Sequence, residues 1–154
     1  MNYYIDIQNA SEEELPLTEA QITEIAILTL KDHRERAELT IRLVPPIVIQ
    51  HLNSTYRHKN KATNVLAFPS SLPEAVELEY PLLGDIIICP QVLRDESIEQ
   101  KKSLDAHWSL ILIHGVLHLL GYDHIKDEDA ALMQAIEVKL LNELGYENPY
   151  DEDE

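Results

Sequence analysis

Residues 108–120 read WSLILIHGVLHLL, an almost unbroken apolar run around which the rest of the chain must pack. Ser103 and Asp105 precede the run, and both residue types commonly cap the N-terminus of a helix. A helix that is apolar nearly all round is buried. We therefore predict a buried central helix, which Gly121 ends because glycine readily takes the left-handed backbone conformation.

Strand and helix patterns alternate on both sides of this helix. Strand patterns cover about 1–8, 38–44, 63–68 and 84–89, and helix patterns cover about 18–31, 45–53, 91–102 and 127–144. Such alternation is typical of α/β (α+β) architecture. We predict one domain over residues 1–154, with a mixed sheet of about four strands, about five helices and a flexible acidic tail over 148–154.

Three features of the sequence indicate the cellular compartment and the role of the single cysteine. No apolar run approaches membrane-spanning length, and the opening MNYYIDIQNA lacks the basic and apolar regions of a signal peptide. The lone Cys89 cannot form an internal disulfide, and its position after an apolar run indicates packing. We expect a cytoplasmic protein without a membrane partner.

Three histidines lie within the segment HGVLHLLGYDH, residues 114–124. On a helix, His114 and His118 stack on one face with their Cβ atoms about 5–6 Å apart, a separation that suits two ligands of one metal ion. After the turn at Gly121, His124 could add a third imidazole and leave one tetrahedral position open, as in catalytic zinc sites. The alternative is that the two helical histidines are core residues bonded to the backbone or to each other.

The same histidine spacing occurs in metzincin proteases, whose motif is H-E-x-x-H-x-x-G-x-x-H. Those proteases use the glutamate of the motif as the general base. Gly115 stands at that position here and cannot accept a proton. The sequence therefore argues against a protease with that mechanism.

Basic residues are concentrated in one part of this acidic chain. The net charge is −16, yet residues 39–73 contain Arg42, Arg57, Lys59 and Lys61 and no acidic residue. Three of these cations lie in the short run YRHKNK, residues 56–61. We predict a loop that faces phosphate groups; the alternative is an ordinary solvated loop.

The chain closely resembles the YbeY family of bacterial metallo-endoribonucleases. The resemblance lies in HGVLHLLGYDH, in NSTYRHKNKATNVLAFP upstream, in GDIII between them and in the ending LGYENPY. It implies an α/β fold, one zinc ion per chain bound by His114, His118 and His124, and hydrolysis of single-stranded RNA. It also implies roles in 3′ maturation of small-subunit ribosomal RNA and in ribosome quality control.

Arg57 and His114 are the predicted catalytic residues. Zinc on the histidines would activate water, and a guanidinium can donate two hydrogen bonds to the negative charge that develops on phosphate. The resemblance places Arg57 at the arginine of the family's YR segment. Its alternative role is a surface salt bridge.

Four further residues are weaker candidates. Asp123 is a candidate to orient the His124 imidazole or to cap the turn, and Tyr122 is a candidate to stack on a base or to pack. Lys59 and Lys61 are candidates for substrate contact. Because the chain is so acidic, we also expect the ribosome or a basic ribosomal protein to deliver the RNA.

Two other functions remain open from the sequence. One is a metal-dependent hydrolase of another substrate, such as a peptide. The other is a non-catalytic ribosome-assembly factor with structural zinc, although such sites normally have four protein ligands and no fourth is evident.

Overall fold

A computed structural model describes residues 2–70, 82–122 and 127–150, with the backbone alone at residue 127. It contains four strands and five helices in these ranges, as predicted. In chain order they are β1 (Tyr3–Asn9), α1 (Glu19–Leu30), β2 (Ala37–Leu43), α2 (Pro46–Arg57), β3 (Val65–Pro69), β4 (Leu82–Ile88), α3 (Pro90–Glu99), α4 (Leu104–Leu119) and α5 (Asp127–Glu143).

The four strands form one mixed sheet in the order β1-β2-β4-β3. Strands β1, β2 and β4 are parallel, and the edge strand β3 runs antiparallel to β4. Ile86 and Ile88 pack in the main core on one face of the sheet, whereas Ile87 packs on the other face with Ile49 of α2. Both faces are therefore covered, which explains the continuous apolar run of β4.

Helix α4 is the buried central helix that the sequence predicts. From residue 107 to residue 119 every residue is buried except His114 and His118, which are partly exposed. The buried side includes Trp108, Leu112 and Val116. The two histidines therefore lie on the one side of the helix that the core leaves open.

Gly121 terminates α4 as expected. Its φ is +105°, its N–H donates to His118 O at 3.0 Å, and the Tyr122 N–H donates to Leu117 O at 3.0 Å. This pair of bonds is a Schellman motif, which satisfies carbonyl groups that the end of a helix leaves unpaired.

Helix α2 is longer than the sequence predicted. It continues past Asn53 to Arg57, and it ends where His58 takes a left-handed conformation with φ +60°. The Lys59 N–H then donates to Asn53 O at 3.2 Å. Arg57 therefore lies on the last turn of a helix, whereas we predicted a loop there. Neither a glycine nor a proline marks the C-terminal end of α2, so the sequence pattern could not predict where the helix ends.

Two local features of the fold have clear physical causes. The side chain of Thr18 accepts from Gln21 N at 3.1 Å while Gln21 Oε1 accepts from Thr18 N at 2.8 Å, which is a capping box at the start of α1. Cys89 is fully buried, and burial raises the pKa of its thiol. It is a packing residue.

Within the described ranges, none of the helices is both long and apolar enough to cross a bilayer.

Candidate active site

A cleft of about 570 Å³ lies beside the exposed side of α4. Its walls come from α4, the end of α2, the segment that joins α2 to β3, and β3 itself. The polar side chains that line it are those of Asn53, Arg57, Lys59, Lys61, Thr63, Asn64, His114, His118 and Tyr150.

His114 and His118 face each other on the wall of this cleft. Their Nε2 atoms are 3.1 Å apart, and their ring centroids are 4.6 Å apart with the ring planes at 78°. Two nitrogen ligands of a tetrahedral zinc ion, each at about 2.0–2.1 Å, lie about 3.3 Å from one another. The pair is therefore compatible with two ligands of one ion.

A buried carboxylate fixes the orientation of His114. The His114 Nδ1–H donates to Glu137 Oε2 at 2.6 Å, and Glu137 of α5 is only 1% exposed. In the neutral imidazole with the proton on Nδ1, the Nε2 atom that faces His118 bears the lone pair. This carboxylate–imidazole arrangement is typical of metal-binding histidines.

Tyr150 contacts the same carboxylate from the C-terminal segment. Its hydroxyl donates to Glu137 Oε1. Burial, with the bond to Glu137, raises the pKa of Tyr150 well above its ordinary value. One oxygen of Glu137 is thus bonded to His114 and the other to Tyr150, so the carboxylate is held from both sides.

The third predicted ligand, His124, and its neighbour Asp123 lie outside the described residues. Within the described ranges no group of three or more histidine, cysteine or acidic side chains is placed to hold a metal ion. The three-histidine zinc site stays a prediction, supported by the two histidines that the structure does describe.

Tyr122 is described, and it lies away from the cleft. Its hydroxyl donates to His33 Nε2 at 3.0 Å, the two rings meet edge to face, and its ring packs against the main core. The structure therefore gives Tyr122 a packing contact, and it is not among the residues that line the cleft.

Arg57, Lys59 and Lys61 line the cleft together with the histidines. Arg57 donates to Ala67 O of β3 at 2.9 Å, and its guanidinium carbon lies 5.0 Å from the centre of the Phe68 ring. No acidic residue is among the described residues that line the cleft. In a chain of charge −16, this surface is locally cationic.

Gly115 has a packing role in addition to lining the cleft. A Cβ atom added to it would lie 3.0 Å from Ile86 Cγ2 of β4, which is tighter than nine in ten Cβ contacts. At the position that a glutamate occupies in metzincins, helix α4 here packs closely against the sheet. This packing favours glycine over a side chain that could act as the general base.

Sequence reasoning missed Glu137 and Tyr150. A signal for Glu137 exists, because it follows the buried Met133 by four residues and precedes the buried Leu140 by three, and so lies on the apolar face of α5. An acid on such a face needs a partner. For Tyr150 the sequence offers no comparable signal, and it falls in the range 148–154 whose predicted flexibility stays a prediction.

Comparison with known proteins agrees with this picture. The family model described as Endoribonuclease YbeY matches residues 6–145. An Endoribonuclease YbeY of Legionella pneumophila (strain Corby) is 65% identical over 154 residues, covering 100% of this chain and 98% of its own. Another, from Pseudomonas syringae pv. syringae (strain B728a), is 51% identical over 150 residues, covering 97% and 89%.

The fold also matches a solved structure. The solution structure of TM1509 from Thermotoga maritima superposes with a TM-score of 0.64 at 24% sequence identity, over 96% of this chain and 99% of that one. At this identity the match speaks for the fold alone.

Proposed function

Since the chain belongs to the Endoribonuclease YbeY family, we propose that it is a zinc-dependent endoribonuclease that hydrolyses single-stranded RNA in the cleft beside His114. The observation on which this rests is the pair His114 and His118, facing each other across 3.1 Å on the wall of a cationic cleft.

His114, His118 and His124 would hold the zinc ion, with Glu137 fixing the His114 ring. When bound, zinc supplies a Lewis acid that makes water a better nucleophile at neutral pH and offsets charge on a phosphoryl oxygen. No side chain need then replace the metzincin glutamate as the general base.

Arg57 and the two lysines would bind the RNA backbone. Arg57 lies on the last turn of α2, and its contacts with Ala67 O and the Phe68 ring hold the guanidinium at the cleft wall. A positioned guanidinium can stabilise the charge that develops on phosphate during cleavage. Lys59 and Lys61 would attract the strand without reading its sequence.

The biological setting is part of the proposal. We assign the chain to the cytoplasm and to 3′ maturation of small-subunit ribosomal RNA and ribosome quality control. The net charge of −16 opposes binding of free RNA, which supports delivery of the substrate by the ribosome or by a basic ribosomal protein.

The decisive experiment is a cleavage assay on a ribosomal RNA precursor, with and without chelator, alongside metal analysis. We expect close to one zinc per chain, lost in His114→Ala. Arg57→Ala should keep its zinc and lose about 10²–10³-fold in cleavage rate, as when one preorganised donor is removed. The exposed residues Arg36 and His51 supply the control variants Arg36→Ala and His51→Ala.

Each contrary result has a definite meaning. RNA cleavage by Arg57→Ala at the wild-type rate would remove Arg57 from the mechanism, and full zinc retention in His114→Ala would remove His114 from the ligands. Hydrolysis of denatured protein but not of RNA would favour a peptide hydrolase. Zinc without either activity would favour an assembly factor.

A further inference from the structure

A second polar network reaches the cleft from α3. The His107 Nε2–H of α4 donates to Glu96 Oε1 at 2.9 Å. Asn64, which lines the cleft just before β3, donates its Nδ2 to Glu96 Oε1 at 3.2 Å and to Oε2 at 3.3 Å. The three side chains form a chain of contacts from the core to the cleft.

Glu96 fixes which way the Asn64 amide points. A carboxylate accepts hydrogen bonds and donates none, so the NH₂ group of Asn64 must face it and Oδ1 must lie on the opposite side of the amide. In the described part of the chain no protein group donates to that Oδ1. The backbone is held as well, because Asn64 O accepts from Cys89 N at 3.1 Å. Asn64 thus presents a fixed acceptor at the cleft.

His107 holds the carboxylate at some cost in stability. It is 4% exposed, and its Nδ1 atom has no hydrogen-bond partner among the described residues. A buried polar atom without a partner is unfavourable, and an apolar residue at this position of α4 would avoid the penalty. The histidine is better explained by its bond to Glu96 than by packing.

We propose that Asn64 is a specificity residue whose Oδ1 accepts a hydrogen bond from a ribose 2′-hydroxyl of the bound strand, with Glu96 and His107 as positioning residues. This rests on the proposed RNA cleavage. The segment that ends at Asn64 also provides Lys59 and Lys61, so Asn64 lines the same cleft as the cations that attract phosphates. The 2′-hydroxyl is the donor that adjoins every phosphate and distinguishes RNA from DNA.

The test is a double-mutant cycle between the protein and the substrate. A short single-stranded RNA is prepared with a single 2′-deoxy nucleotide at each position in turn, and kcat/KM is measured. We expect one position at which the deoxy substitution slows wild type about 3–10-fold, the effect of one hydrogen bond. The kcat/KM of Asn64→Ala on all-ribose RNA should be lower than that of wild type by a similar factor. A deoxy substitution at that position should not slow this variant further.

Two further variants separate specificity from folding. Asn60→Ala changes an exposed asparagine that is bonded to Gln50 and is not among the cleft residues, so it should keep the wild-type response. In Asn64→Asp the two carboxylates repel each other, and the response should be lost. Adding Glu96→Gln restores an NH₂ donor facing position 64, and the double variant should regain the response at the same nucleotide.

The outcomes are distinguishable. If wild type cleaves RNA but Asn64→Ala shows the same deoxy penalties, the specificity role is wrong and the proposed function stands. A different result is that Asn64→Ala abolishes the response to inosine in place of guanosine and leaves every deoxy penalty unchanged. That result would assign the contact to a base and would also overturn the specificity role. If wild type cleaves no RNA, the proposed function fails. In that case the affinities of wild type for RNA and for DNA of the same sequence are compared, and equal affinities would overturn the role of Asn64.

Discussion

The two nitrogens of His114 have different partners. Nδ1 is bonded to the buried Glu137, and Nε2 faces His118. An imidazole with one nitrogen fixed in this way has one tautomer and one orientation, which is the state that a metal ligand requires. The carboxylate therefore holds His114 in the state that the proposed zinc site needs.

We expect Glu137→Gln to weaken zinc binding about 10–100-fold, because the amide no longer holds the imidazole by a charge-assisted bond. Competition with a coloured chelator measures the affinity. Glu143→Gln, an exposed change on the same helix, is the control. Thermal melting of the metal-free variant separates a folding defect from a binding defect. Unchanged zinc affinity would mean that Glu137 has only a packing role.

Tyr150 predicts a dependence of stability on alkaline pH. Its folded-state pKa lies above the ordinary value of about 10, so the unfolded chain loses this proton first as the pH rises. The stability contributed by the hydroxyl is therefore fully present below about pH 10 and declines above it. The difference in Tm between wild type and Tyr150→Phe should be constant up to that pH and then shrink, with the exposed Tyr4→Phe as control. A difference that stays constant through pH 11 would contradict this.

Among the helices and strands, those with long apolar runs could be predicted from the sequence. The positions at which helices end were less predictable. The apolar run of α4 and the three isoleucines of β4 require burial whatever surrounds them, so these elements follow from the sequence. The end of α2 does not, because it depends on a left-handed residue that is not glycine. Such an end is decided by contacts such as Asn53 Nδ2 to Lys61 O at 3.0 Å, which join positions apart in the chain.

The cap of α1 gives a prediction at this scale. Thr18→Ala removes the side-chain acceptor of the capping box and should lower the free energy of unfolding by about 1 kcal/mol. Denaturant titration measures the change. Thr55→Ala, exposed on α2, should change stability by less than about 0.5 kcal/mol. Equal effects of the two substitutions would show that the cap contributes nothing.

At the scale of the molecule, the candidate site could be predicted in part. The residues with reactive side chains, His114, His118 and Arg57, follow from type and spacing, and the structure brings them to one cleft. Their supports are harder to predict. The apolar face of α5 indicates that Glu137 needs a partner, but Glu137 and Tyr150 reach the site only because α5 folds back against α4. Supporting residues are set by tertiary packing, which leaves a weak trace in a single sequence.

The cationic cleft in an acidic chain predicts strong dependence of RNA binding on salt. Each cation that neutralises a phosphate of a single strand contributes about 0.7 to the slope of log affinity against log salt. We expect Lys61→Ala to reduce that slope by about this amount, whereas Lys139→Ala, exposed on α5, should not change it. Titrations of labelled RNA at several salt concentrations provide the measurement. An identical slope for both variants would place Lys61 away from the strand.

The bond between Tyr150 and Glu137 also has a consequence for the order of events during protein synthesis. A ribosome makes Arg57 first, then the histidines, then Glu137, and Tyr150 only later. A nascent chain that stops short of Tyr150 holds all the other described polar groups of the cleft but lacks the donor that clamps the His114 support. The support of His114 is therefore the last part of the site to be completed. A copy that is still being synthesised, beside ribosomal RNA, has an incomplete active site.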